Sequence, residues 1–367
     1  MTTRQTYIIA EIGVNHNGSL QLAKEMIEAA ARTGADAVKF QAFKAAQLVS
    51  TSAAKADYQK RNTGQGNQYE MLSALELSDE AFLALRDFAK IQGVEFLSSV
   101  FDEQSLEMVV GLGVSRLKLG SGELTNGPLL DACARTGLPL IISAGMATME
   151  DIYRSLGLLA HVYTHPQAPH SPQAWANAYA SESGHSCLQQ LVTVLHCTTE
   201  YPCPYNEVNL LALGKLQTAL RLPVGYSDHT SGIHASLAAV ALGAQVIEKH
   251  FTLDRTLPGP DHSASTEPQD FSSLVQQIRE LEAALGVPEK IVQPSELKNA
   301  KVARRSLVAL QPISRGTRFS IENIGSKRPG TGISPMRLWE LLGTSASRDY
   351  EVGEMLDTCE LEAVSGK

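Results

Sequence analysis

Apolar residues along the 367-residue chain fall into short β-rich runs, separated by longer segments whose apolar positions recur at helical spacing. YIIAEIG (7–13) precedes a periodic segment over 20–33. DAVKFQ (36–41) is followed by a long loop and a periodic segment over 78–92. The alternation continues with VEFLSS (94–99) and 104–112, SRLKLGSGE (115–123) and 126–136, and LPLIISAG (138–145) and 149–160. LVTVLHCTTE (191–200), LPVGYSDH (222–229) and AQVIEKHF (244–251) complete eight strand–helix units. A right-handed crossover after every strand makes a parallel sheet, and eight strands let it close, so the pattern predicts an α/β fold of the (β/α)8 TIM-barrel type. A doubly wound open sheet is the alternative, but no GxGxxG turn follows the first strand.

After the amphipathic segment 271–285 the pattern stops. The expected organisation is a barrel domain over 1–286, a linker over 287–302 in which Pro288 and Pro294 disfavour continuous helix, and a small β-rich domain over 303–367 with one short helix near 337–342. Inside the barrel region, 161–188 reads as a mobile insertion rich in Pro, Ser and Ala. Its His161, His165, His170 and His185 are set aside as metal ligands, because an αβ loop lies on the barrel face opposite the active site.

Strand ends carry the chemistry of such a barrel, and here they are populated by Glu11, Lys39, Ser98, Lys118, Ser143, His196, Ser227 and Glu248. His229 and His250 follow consecutive apolar runs. If both runs are parallel strands their imidazoles converge at one rim, where two neutral imidazoles suit a catalytic divalent metal, with Asp228 and Glu248 as flanking acids able to orient them. Lys39, Lys118 and Ser143, with the LGSGE turn, could hold a compound bearing a carboxylate and a phosphate; each lysine could equally pair with a neighbouring acid. Glu11, Glu123 and Asp261 are candidate acid/base carboxylates, undivided by spacing, and Tyr201 could either donate toward a developing alkoxide or simply pack. Arg328 in KRPGTG is a further candidate anion ligand, with nothing in the spacing that places it at the barrel.

Net charge is −8 with pI near 5.7, which excludes a general nucleic-acid binder and confines any anion site to a local basic pocket. Five cysteines without CxxC spacing fit a reducing compartment. With no basic-then-apolar leader and no window of ~18 apolar residues, the expectation is a cytoplasmic protein without a membrane span.

IAEIGVNHNGS, AVKFQ, KLGSGE, IISAGMAT, HCTTEYP, GYSDHTSG, IEKHFTLD, PGPDH and KRPGTGISP occur in this order from about Tyr7 to Leu356. Together they resemble the N-acetylneuraminate (sialic acid) synthase family. The resemblance implies a TIM barrel followed by an antifreeze-like (SAF) domain in a domain-swapped homodimer, and a metal-dependent condensation of phosphoenolpyruvate with N-acetylmannosamine that releases phosphate by C–O cleavage. It implies that His229 and His250 bind the divalent metal, Mn2+ or Mg2+, and that Glu11 is the acid/base. Lys39, Lys118, Ser121, Ser143, Thr199 and Ser227 would bind phosphoenolpyruvate, and Glu123, Tyr201 and Asp261 the sugar. Arg328 would reach the sugar's N-acetyl group in the partner's barrel. Some members carry Asn where Thr199 stands, and the 161–188 insertion has no counterpart that can be placed.

The same motifs would serve a legionaminate or pseudaminate synthase acting on a 2,4-diacetamido-6-deoxy sugar. KADYQKRNTG (55–64) and GPDHSAS (259–265) favour the N-acetylneuraminate members. A carbohydrate- or ice-binding protein built on an inactive barrel is the reading from another class, and the convergent strand-end charges oppose it.

Overall fold

The computed structural model describes residues 5–365. Eight strands, β1 (Tyr7–Gly13), β2 (Ala37–Ala42), β3 (Glu95–Val100), β4 (Leu117–Leu119), β5 (Leu140–Ser143), β6 (Val192–His196), β7 (Val224–Asp228) and β8 (Val246–His250), form a closed barrel in sequence order. Every neighbouring pair is parallel, including β1 with β8, so the TIM barrel expected from the alternation is the fold.

Several of the helices that pack outside it begin where the sequence supplies caps. For α1 (Leu20–Arg32) the Ser19 side chain accepts from Leu22 N. The region between 42 and 78, expected as a loop, contains three short helices, α2 (Ala45–Leu48), α3 (Asp57–Thr63) and α4 (Gln68–Ser73), before α5 (Asp79–Ile91) returns to the barrel wall. Asn67 and Glu70 form a reciprocal capping box for α4, which closes a six-residue helix that propensity alone would not hold. The outer layer continues with α6 (Glu103–Gly111), α7 (Gly127–Arg135) and α8 (Met149–Thr164).

The 161–188 segment is helical except for the connection over 165–171. It finishes α8 and supplies α9 (Pro172–Ala180) and most of α10 (Glu182–Leu191), each started by a serine cap, Ser171 and Ser181. Gly157 explains how α9 seats on α8: a Cβ there would lie 3.0 Å from the Trp175 carbonyl oxygen. His161, His165 and His170 stack within this layer, and His170 pairs with Asp131 at 3.2 Å. The barrel is completed by α11 (Ala212–Leu220), α12 (His234–Ala241) and α13 (Pro268–Leu285).

Residues 1–286 and 287–367 are separate compact units. The second holds α14 (Glu296–Ala303), which starts directly after Pro294 within the stretch expected as linker, and the antiparallel pair β9 (Ser306–Ala309) and β10 (Ile324–Lys327). It has its own core, in which Leu307, Ile313, Phe319, Ile324 and Tyr350 are buried. Among the described residues no helix is long and apolar enough to cross a membrane.

Candidate active site

Side chains alternate along a strand, so every second residue of each barrel strand points inward. The floor of the barrel is an apolar cluster of Ile9, Ala37, Leu97, Ile141, Leu195 and Val246. Gly225 occupies the corresponding place on β7, where a Cβ would come within 2.6 Å of Leu195 Cδ2. Two residues further along each of these strands stand Glu11, Lys39, Ser99, Ser143, Cys197, Ser227 and Glu248, and with Lys118 of β4 they line one cavity. Another two residues bring Gln41, Thr199, His229 and His250 to its rim. Register reinforces the grouping: Glu11 is the partner of Lys39 on one side and of His250 on the other.

Counting inward positions from the floor corrects two strand-end expectations. Ser98 points away from the cavity and its hydroxyl donates to the Ser99 carbonyl, while His196 Nε2 lies 2.7 Å from the Val208 carbonyl. Ser99 and Cys197 hold the inward places, because a shift of one residue turns a side chain to the opposite face. Asp228 also faces outward. It pairs with buried Lys249 at 3.0 Å and accepts from Thr230 and Ser236, so it fixes the strand from behind rather than orienting the histidines.

Inside, the charges are tightly paired. Lys39 Nζ lies 2.6 Å from Glu11 Oε2 and 3.7 Å from Glu248 Oε2, and donates to Ser99 Oγ. Lys118 Nζ donates to Ser143 Oγ at 2.7 Å and stands 3.6 Å from Glu248 Oε1, which also accepts from Ser227 Oγ. Burial pushes the Glu248 carboxyl upward, but the two lysines prevail and hold its pKa at about 2. Burial together with the negative Glu248 raises Glu11 despite Lys39. Lys39 stays above its ordinary value because Glu11 and Glu248 outweigh its burial, whereas burial lowers Lys118. The result is a layer of paired charges above the apolar floor, with one firmly ionised carboxylate and one poised to carry a proton.

His229 and His250 stand with ring centroids 5.6 Å apart, and Tyr201 packs 4.2 Å from the first and 5.4 Å from the second. Burial lowers the pKa of both histidines, so both are neutral. His229 Nδ1 must donate to the Thr198 carbonyl 2.7 Å away, since a carbonyl only accepts. Its Nε2 then bears the lone pair. Ser227 Oγ, 3.3 Å off, directs its proton to Glu248, so that lone pair is left uncommitted. His250 Nδ1 is buried without a partner. Two neutral imidazoles with uncommitted nitrogens beside acids fit a divalent ion. Among the described residues no third His, Cys, Asp or Glu joins them in a ligand cluster, so the remaining positions would fall to water and substrate.

Ser121, Thr199 and Cys197 surround Gly145, where a Cβ would meet Thr199 Oγ1 at 2.3 Å and Ser121 Oγ at 2.8 Å; the glycine keeps this rim open. Gly145 N donates to Ser121 Oγ. Asp261 also lines the cavity, and burial, with Glu11 nearby, raises its pKa to about 7. Glu123 does not line it: its carboxylate accepts from Asn126 Nδ2 at 2.7 Å, at the start of α7. Arg328 belongs to the second unit, directly after β10.

A family model described as the NeuB family matches residues 26–290, and one for the SAF domain matches 304–361. The chain belongs to the NeuB family. As a NeuB-family member it is 46% identical to an N,N'-diacetyllegionaminic acid synthase of Legionella pneumophila over 95% of this chain and 93% of that one. It is 46% identical to an N,N'-diacetyllegionaminic acid synthase of Campylobacter jejuni over 96% and 99%. Human N-acetylneuraminate-9-phosphate synthase is 34% identical over 92% and 87%. The family expected from the motifs is therefore the family found, and the relatives are sugar-acid synthases. The small antiparallel sheet of the second unit lies within the SAF match.

Part of this NeuB-family site lies outside its strand-end motifs. Tyr58 and Gln59, within the 55–64 stretch, and Met71, Leu72 and Leu75 beyond it line the cavity, and the Tyr58 ring lies 5.1 Å from that of Tyr201. No strand periodicity points to them. The segment is held over the mouth by Asn62, which donates to the Pro260 carbonyl and to Ser263 Oγ.

Proposed function

We propose that this chain is an N,N'-diacetyllegionaminic acid synthase that condenses phosphoenolpyruvate with a 2,4-diacetamido-6-deoxy aldose. The observation carrying the choice of acceptor is the higher identity to both legionaminic acid synthases than to the human N-acetylneuraminate-9-phosphate synthase, over nearly the whole chain. This replaces the N-acetylmannosamine expected from 55–64 and 259–265. Those two stretches bond to each other through Asn62, which donates to the Pro260 carbonyl.

In this reading the methylene carbon of phosphoenolpyruvate bonds to the aldehyde carbon, whose oxygen takes a proton. Water adds to the enol carbon, and the C–O bond to phosphate breaks, releasing inorganic phosphate. Lys39, Lys118, Ser143 and Ser227 hold the carboxylate and phosphate above the apolar floor, with Ser121 and Thr199 at the rim. A divalent ion at His229 and His250, Mn2+ or Mg2+, would supply electrophilic polarisation of the aldehyde oxygen. Glu11, held by Lys39 and Gln41, moves the proton of the attacking water. Burial keeps Tyr201 protonated, so its hydroxyl donates to the developing alkoxide, and Asp261 bonds the sugar. Arg328 acts in the partner's barrel within a homodimer.

The test is product identification by mass spectrometry with isotopically labelled phosphoenolpyruvate, Mn2+ and both acceptors. Phosphate release and a labelled product with the diacetamido sugar support the reading; preference for N-acetylmannosamine overturns it.

A further inference from the structure

The lining of the cavity is not polar throughout. Val14 after β1, Phe101 after β3, and Met71, Leu72 and Leu75 from α4 and its exit belong to it. They belong to a small apolar cluster with Phe43, distinct from the barrel core. Val14 and Leu75 are buried, whereas Met71 and Leu72 are only partly covered and keep apolar surface open. The polar groups of the same segment are largely committed to one another. Gln59 Oε1 accepts from Ala56 N, Thr63 Oγ1 donates to the Gln59 carbonyl, and Lys55 Nζ donates to Thr63 Oγ1 and to the carbonyls of Gly64 and Gln65. A sugar hydroxyl against this wall would give up water without gaining a partner, whereas a methyl group would lose nothing.

We infer that Met71, Leu72 and Leu75, backed by Val14 and Phe101, form the subsite that selects a methyl-bearing, hydroxyl-poor end of the acceptor sugar. The inference rests on the proposed synthase reading and deepens it by naming the residues that choose the acceptor. Two positions of a diacetamido-6-deoxy sugar can present the methyl: the deoxy terminus and the second acetamido group.

The test measures kcat/KM with phosphoenolpyruvate and Mn2+ for N-acetylmannosamine, its 6-deoxy analogue and the 2,4-diacetamido-6-deoxy sugar. One of the two steps along this series should improve kcat/KM by about 10- to 100-fold, mainly through KM, and which step does so identifies the methyl. In Met71→Gln and Leu72→Asn the gain should shrink to less than about threefold, with the thermal midpoint retained. A wild-type enzyme indifferent to both steps, or variants that keep the full gain, overturns the subsite. If no acceptor turns over, the synthase reading fails by itself. Saturation-transfer NMR then still decides the subsite: the methyl signals of the diacetamido sugar should receive saturation from the wild type and lose it in both variants, and equal transfer overturns the inference.

Discussion

Asp261 offers a quantitative check on the electrostatics of the cavity. It is 8% exposed, and burial first, with the negative charge of Glu11 second, raises its pKa from 3.8 to about 7. A carboxyl raised on folding keeps its proton in the native state while the unfolded chain gives it up. Its burial therefore costs nothing below about pH 4, and the cost grows as pH rises to the folded pKa. The span from 3.8 to about 7 corresponds to roughly 4 kcal/mol above about pH 8, and to roughly 1.5 kcal/mol at pH 5. Asn mimics the protonated carboxyl, so Asp261→Asn should match the wild type near pH 4 and exceed it progressively toward pH 8. An unfolding entropy of about 0.6 kcal/mol/K for a barrel unit of this length turns 4 kcal/mol into a gain of about 7 °C in midpoint. The assay is thermal unfolding followed by circular dichroism in chelator across this pH range. A difference that is flat with pH, or that grows toward acid, refutes the assignment of a buried, proton-retaining Asp261.

Other expected outcomes follow from single contacts. Asp228→Asn leaves buried Lys249 without its counter-charge, which should cost about 3–5 kcal/mol and lower the midpoint by about 5–8 °C with or without metal; an unchanged midpoint would return Asp228 to the histidine site. Gly145→Ala introduces a Cβ against Thr199 Oγ1 and Ser121 Oγ and should raise the KM for phosphoenolpyruvate by about tenfold or more, with little change in the sugar KM. His229→Ala should abolish Mn2+ binding measured calorimetrically on dialysed protein while the circular dichroism spectrum is retained; undiminished binding would discard the metal role. If the homodimer shares its sites, mixing Arg328→Ala and Glu11→Ala subunits should restore part of the activity that each lacks alone, and no recovery would assign Arg328 to its own barrel or to no site.

The alternation of apolar runs with helical segments made the barrel legible, because a closed parallel sheet leaves an apolar run at every strand. Strand ends were legible for the same reason, but the inward phase was not always so. EFLSSV carries two adjacent serines near its end, and nothing local prefers Ser99 to Ser98. In the β6 end the more polar His196 attracts the choice that belongs to Cys197. The phase is set by Leu97 and Leu195 meeting the other floor residues, a tertiary fact that becomes available once the eight strands are counted together. Glu123 shows the opposite case: the KLGSGE motif is intact, yet its carboxylate is taken by Asn126 three residues on.

The region that sequence periodicity reads least well is also the one that should decide the acceptor. The helices of 45–73 are short; α4 is closed by its capping box, and α3 is held through Asn62 by contacts to Pro260 and Ser263 that lie about two hundred residues away in sequence. Periodicity over four to seven residues cannot announce them. In the proposed reaction the lysines, serines and histidines below would serve the parts that every acceptor shares, so motifs built from them would identify the family without separating one sugar from another. Discrimination must then come from side chains that touch the sugar's distinguishing groups and take no part in bond making. Met71, Leu72 and Leu75 meet that description: they face the same cavity as the chemistry, and they are uncharged and carry no hydrogen-bond donor in their side chains.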